Sequence, residues 1–196
     1  LNYPVWELPA AGLLIAAVGI VHVFVSHFAV GGGLFLVLAE RRARARSDAA
    51  LLAFVRARSR GFVLLTLVFG ALTGVGIWFT IGLVQPQATS ALVTTFVWAW
   101  AIEWVFFALE IAAAIVYYHG WDRLDAKTHM AVGWVYFVAA LASLVVITGI
   151  LSFMMTSGRW PATRQFADAF FNPSYAPMVA LRAAGAAGLT GLYVLF

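Results

Sequence analysis

The chain alternates between long apolar runs and short polar ones. Five runs stand out, at about 9–40, 61–84, 92–118, 130–156 and 175–196, separated by Arg41 to Arg60, Gln85 to Ala91, His119 to His129 and Thr156 to Ser174. About 20 residues at ~1.5 Å each cross a hydrocarbon core of about 30 Å, so every run is long enough to span it as an α-helix. The pattern predicts an all-α, polytopic transmembrane helical bundle of about five helices, with residues 1–196 forming a single membrane domain. The first run is longer than a signal-peptide core and is expected to be a retained helix. The last stops in the apolar stretch Leu189 to Phe196, and the expectation is a chain that continues beyond it.

The polar breaks orient the bundle. Seven of the twelve basic residues, Arg41, Arg42, Arg44, Arg46, Arg56, Arg58 and Arg60, crowd the first break against a single acid, Asp48. The positive-inside rule predicts that this break is cytoplasmic. The break at Gln85, Pro86 and Gln87 carries no charge and the next carries Arg123 and Lys127, so the alternation places the N-terminus outside. Ser47 and Asp48 are placed to cap a short amphipathic helix through Arg60, its arginines lying among anionic lipid headgroups.

Composition then removes whole classes of function. With 64% hydrophobic and 10% charged residues and a mean hydropathy of +0.95, the chain is no soluble domain, in which about a quarter of residues are charged. The net charge of +4 belongs to one face of a membrane protein, and no nucleic-acid partner is expected. There is no cysteine. Disulfides, thiolate metal sites, iron–sulfur ligation and thioether-linked haem are thereby excluded within this chain, leaving His, Met and carboxylates as metal ligands.

The chemistry is carried by polar groups inside the runs. His22 and His27 lie in the first, followed by Gly31, Gly32 and Gly33. An ionisable group at that depth needs a polar partner, a water file or a metal. Glu103 and Glu110 in the third run lie about two turns, roughly 10 Å, apart on nearly one helix face, within an aromatic lining that includes Trp98, Trp100 and Trp104. Counted from the outer end of each run, Glu103 is level with His22 and Glu110 with His27, predicting an outer and an inner His/Glu pair. Haem iron ligation, a proton relay and a cation site all fit such pairs. Arg182 in the last run needs an anion, for which Glu103 or a cofactor carboxylate such as a haem propionate qualifies. Gly70 and Gly74, like Gly185, Gly188 and Gly191, permit close approach of a helix or a flat macrocycle. His129 falls at the cytoplasmic boundary, where a histidine is cheap to solvate, and Met154 and Met155 near the outer end serve packing or thioether ligation.

Several blocks together resemble subunit I of the cytochrome bd quinol oxidases. They are His22 to Glu40; Gly70 to Gly74 with Phe79 and Gly82; Ala101, Ile102 and Glu103 with Leu109 and Glu110; and Gly120, Trp121, Asp122, Arg123 and Leu124 followed by His129 and Met130. They occur in the family's order, and Asn172-Pro173 before the last run also fits. The resemblance implies a bundle in the bacterial inner (plasma) membrane that binds haem b, with haem d as a second candidate, and reduces oxygen near the outer side with protons drawn from the cytoplasm. It implies other membrane subunits, one of them subunit II-like, lipid neighbours, and a quinol or c-type cytochrome donor. His22 stands where the family places an axial haem ligand, and Glu103 and Glu110 stand for its two carboxylates at the haem pair and on the proton path. His27, Trp100 and Arg182 join them as expected cofactor-binding residues, with His22, His27 and Glu103 as the expected iron ligands.

The departures define a divergent branch covering the N-terminal half of such a subunit. Where the family's fifth helix supplies a histidine to a low-spin haem, this chain reads Ala180, Leu181, Arg182; His27 is additional, Trp78 replaces an acid, and Glu103 and Glu110 are one residue closer than the family pattern. Three functions follow in order: a bd-like terminal oxidase subunit, a bd-like haem b electron-transfer subunit that does not reduce oxygen, and a haem-free proton or cation transporter using the two carboxylates.

Overall fold

The structure is a computed structural model describing residues 5–195. The four residues before them and Phe196, which belong to the single-domain reading and to the end of the fifth predicted run, lie outside the described residues. Nine α-helices follow in order: α1 (Ala11–Ala45), α2 (Ala49–Leu64), α3 (Ala71–Val84), α4 (Pro86–Thr95), α5 (Val97–Gly120), α6 (Ala126–Met155), α7 (Trp160–Thr163), α8 (Phe166–Phe170) and α9 (Tyr175–Leu195), and the described residues contain no strand. Five spans are long and apolar enough to cross a membrane: α1, the continuous stretch Ala49–Val84, α5, α6 and α9. The expected all-α bundle of five spans is what the chain forms, as a multi-pass membrane protein.

The second span corrects the predicted break. In place of a separate amphipathic helix ending at Arg60, α2 runs through a π-helical segment, Leu65–Gly70, directly into α3. The turn between α1 and α2 shrinks to Arg46, Ser47 and Asp48. Ser47 takes a left-handed φ of 51°, and Asp48 caps α2 by accepting the Leu51 backbone N–H at 2.9 Å, as its side chain predicts. The third span also starts later than 92, because Pro86 opens the short helix α4 and Phe96 separates it from α5.

α1 is the hub, packing against α2, the π segment, α3, α6 and α9. Successive residues of a helix point about 100° apart, so the three consecutive glycines face three different neighbours. A Cβ on Gly31 would strike the Ala186 carbonyl of α9, one on Gly32 the Phe62 ring of α2, and one on Gly33 would meet the Tyr136 ring of α6 at 3.2 Å. Only hydrogen lets all three helices come this close.

The helices bury side chains in a main core near one end and in a smaller cluster, Phe96, Ala99, Ile150, Ala169 and Phe170, near the other. Phe28, Leu36, Val55, Phe62, Ala113, Ala114, Tyr117 and Tyr136 form the main core, toward the arginine-rich turns, the basic end. At the opposite end, Asn172 fixes the start of α9: buried, its Nδ2 donates to Ser152 Oγ at 2.8 Å and to the Ala169 carbonyl at 2.9 Å, while its Oδ1 accepts from Thr156 Oγ1 at 3.1 Å and the Ser174 N–H at 3.1 Å.

Candidate functional site

The predicted site residues occupy successive layers. In the layer of His22, the Nδ1 of the imidazole lies 3.0 Å from Thr73 Oγ1. That hydroxyl donates its own hydrogen to the Phe69 carbonyl at 2.5 Å, so its oxygen accepts the Nδ1 hydrogen of His22. Nδ1 is thereby anchored, with the Gly70 backbone a second partner of the ring, and a metal-binding histidine is oriented by such an anchor on one nitrogen. Gly74 makes room for the ring: a Cβ there would lie 3.2 Å from His22 Cε1. The π segment precedes both Thr73 and Gly74. One residue more than an α-helical turn rotates all that follows by about 100°, bringing this face onto α1.

Arg182 and Trp100 belong to the same level. Arg182 Nη1 donates to Thr148 Oγ1 at 2.9 Å, while its Nε and the Trp100 Nε1 are buried donors with no acceptor. Thr148 is level with His22 when counted along antiparallel α1 and α6 from the facing pair Val37 and Gly133. The Trp100 ring packs on Trp78 with centroids 4.8 Å apart. Two orphaned donors beside a half-buried histidine fit an anionic group such as a propionate, since buried donors rarely go unpaired.

The register changes the expected His/Glu pairs. Tyr117 OH donates to Glu40 Oε2 at 2.7 Å; counting back equally along the co-directional helices α5 and α1, Glu103 comes level with Ser26 and His27, and Glu110 with Gly33. Each carboxylate thus lies about a turn or more deeper than predicted, because the count from the outer ends began the third span within α4. Glu103 Oε1 accepts from Ser143 Oγ of α6 at 3.0 Å. Glu110 is buried and interacts electrostatically with Glu103 and with Tyr136, whose buried hydroxyl lies near Thr66. His27 is buried between α1 and α9, its Nδ1 hydrogen-bonded to the Val23 carbonyl and its ring against Gly185.

Beyond these layers, toward the basic end, lies a cluster that the boundary reading of His129 misses. His129 is fully buried. Its Nδ1 lies 2.9 and 3.0 Å from the Glu40 carboxylate and its Nε2 2.9 Å from the Tyr117 carbonyl, while Arg44 reaches Glu40 Oε1 at 2.7 Å. The tryptophan of the Gly-Trp-Asp-Arg-Leu block packs on His129, centroids 4.3 Å apart, and donates Nε1 to Ser59 Oγ at 3.1 Å. The available signal was Glu40 itself, an acid ending an apolar run with a base one turn on. Met154 and Met155 are exposed at the end of α6.

Among the described residues no group of three or more His, Cys, Asp or Glu could cage a metal ion. A porphyrin iron asks the protein for only one or two axial ligands, which suits a lone anchored histidine with orphaned donors at its level.

No curated protein matches the chain in sequence. Among solved structures, the bd oxidase from Geobacillus thermodenitrificans aligns with a TM-score of 0.78 at 23% identity, over 90% of this chain and 42% of that one. The likeness is one of fold, and the chain spans less than half the length of that relative. The family model for cytochrome bd terminal oxidase subunit I matches residues 11–196, nearly the whole sequence, and the chain therefore belongs to that family.

Proposed function

We propose that this chain is the haem-binding membrane subunit of a bd-type terminal oxidase, in the bacterial inner membrane, with its arginine-rich turns in the cytoplasm, its N-terminus outside, and residues 1–196 acting as one membrane domain. The observation that carries the reading is His22, its Nδ1 anchored on Thr73, at the level of the unpaired donors of Arg182 and Trp100. His22 would hold the iron of a haem b or haem d, and Arg182 and Trp100 would hold its carboxylate edge. The haem, when bound, supplies the oxygen-reducing chemistry.

The remaining residues handle protons. Glu110, buried near Tyr136, holds a proton arriving from the cytoplasmic side, and Glu103, steadied by Ser143, receives it next. Glu103 is the group nearer the haem, as ligand or gate. His27, packed on Gly185, is a secondary candidate. A quinol or c-type cytochrome is the donor, and a subunit II-like chain completes the complex.

Reduced-minus-oxidised and carbon monoxide difference spectra of the purified complex test this. A carbon monoxide-reactive high-spin haem that disappears in His22→Ala is the expected result, and an unchanged spectrum removes His22 from the role. Arg182, standing in the neighbourhood of a family haem ligand, favours one alternative: a haem b electron-transfer subunit that does not reduce oxygen. Steady oxygen uptake with an artificial donor excludes that alternative, whereas low-spin bands silent to carbon monoxide favour it.

A further inference from the structure

The basic end carries a feature that the oxidase reading leaves unused. Between the middle turns of α2 and the end of α5 lie two adjoining depressions. One, of about 700 Å³, is lined by Arg56, Arg60, Tyr118, Trp121 and Asp122, and the other, of about 440 Å³, by Ile115, Val116 and Leu124; they share His119 and Arg123.

Their chemistry differs sharply across the shared wall. Arg56 is spent on Asp122, which it engages through both guanidinium nitrogens. Arg60 and Arg123 have no carboxylate within ion-pair distance among the described residues. Two free cations thus border a depression whose neighbour is walled by Ile115 and Val116, 43% and 46% exposed. The border itself is rigid, because Trp121 is pinned by Ser59 and by His129 behind it. The site sits where the last apolar turns of α5 give way to the charged loop, the level of lipid headgroups, with Tyr118 and Trp121 in the usual place of interfacial aromatics.

We propose that the two depressions form a binding site for one anionic phospholipid, its phosphate held between Arg60 and Arg123 and the start of an acyl chain lying along Ile115 and Val116. A headgroup phosphate satisfies the two cations that the protein leaves unpaired, and the acyl chain covers the apolar wall. Zwitterionic lipid presents its own cation to the same arginines and binds less well. The site is independent of haem, so its failure leaves the oxidase reading standing, and the reverse.

Native mass spectrometry of the purified complex, delipidated and then titrated with phosphatidylglycerol or phosphatidylcholine, tests the site. The expected result is one tightly retained phosphatidylglycerol per chain, and a loss of affinity of at least roughly tenfold in Arg60→Gln/Arg123→Gln, each basic residue near a membrane surface being worth about a factor of five. Ala57→Trp, which fills the larger depression without changing charge, produces the same loss. Arg41→Gln/Arg46→Gln, which removes as much charge elsewhere in the basic turn, leaves retention within about twofold. Equal loss in that control variant, or equal retention of phosphatidylcholine, means diffuse attraction and overturns the site. Full displacement by millimolar inorganic phosphate means a soluble phosphate ligand and overturns the lipid assignment.

Discussion

The two halves of α1 are built to different rules. From Val25 onward the helix buries Phe28 to Gly33, Leu36, Val37, Glu40 and Ala43, whereas between Ala11 and Phe24 no residue is buried. The same division runs through the bundle's polar groups. At the basic end Glu40, His129, Tyr117 and Arg44 satisfy one another. Farther along the bundle, Arg182 Nε and Trp100 Nε1 are buried with no hydrogen-bond partner, and large apolar side chains such as Leu72, Val75 and Phe79 stand exposed. The basic end, like the Asn172 network at the far end, spends its polar groups on holding helices together, and the His22 level between them keeps donors available. Stability and chemistry therefore occupy different lengths of the same five spans.

If that division is real, substitutions at the two ends should fail in different ways. The largest effect is expected from Glu40→Ala, which leaves Arg44 and His129 facing a buried void. Removing one partner of a buried ion pair costs about 3–5 kcal/mol, so thermal unfolding of the purified complex should fall steeply or the complex should not assemble. A melting temperature unchanged from the parent would mean that the cluster is not a fastening. Next comes Gly31→Ala, whose methyl meets the backbone of α9 at Ala186. Overpacking of this kind costs about 1–3 kcal/mol, and the same unfolding assay should show a smaller but clear drop.

At the other end, Thr73→Val should alter stability by less than about 1 kcal/mol, the scale of a single neutral hydrogen bond. It should nevertheless shift the haem absorption bands or midpoint potential, because His22 loses the acceptor that fixes its tautomer. Identical spectra together with a large stability loss would reverse the comparison. The smallest effect concerns pH. The Arg56 guanidinium hydrogen-bonded to Asp122 holds that exposed carboxyl below its usual range. A lowered folded value means a contribution present above the unfolded value of about 3.9 and lost as pH falls through the folded one. Melting temperature should thus be indifferent to this pair from about pH 7 to about pH 5 and decline slightly below about pH 4, a decline shared with Asp125 and Asp168 and made shallower in Asp122→Asn.

Hydropathy made the five spans legible because crossing a bilayer imposes a length that no local detail disguises. It failed at Ala49–Val84, where Arg56, Arg58 and Arg60 interrupt the apolar pattern without interrupting the helix, and no proline or turn glycine stands between Asp48 and Val84 to end it. Of the candidate site, the residue types were visible in the sequence and their heights were not. Counting Glu103 from the start of an apolar run assumes that every run starts at the same depth, and α4 breaks that assumption. Thr73 could have been suspected from its place between Gly70 and Gly74, but its meeting with His22 depends on the π segment, which hydropathy cannot see. Glu40, Tyr117 and His129 are distant in sequence and adjacent only in the fold.

That π segment is also a lever. Deleting one residue within Leu65–Gly70 would let the second span run as an uninterrupted α-helix, leaving α2 and the cluster at the basic end where they are. Everything after it would swing by about 100°, carrying Thr73 and Gly74 off the face of His22. A one-residue change in a stretch with no ionisable side chain would then retune the histidine without touching it, much as a peg sets the pitch of a string from its far end.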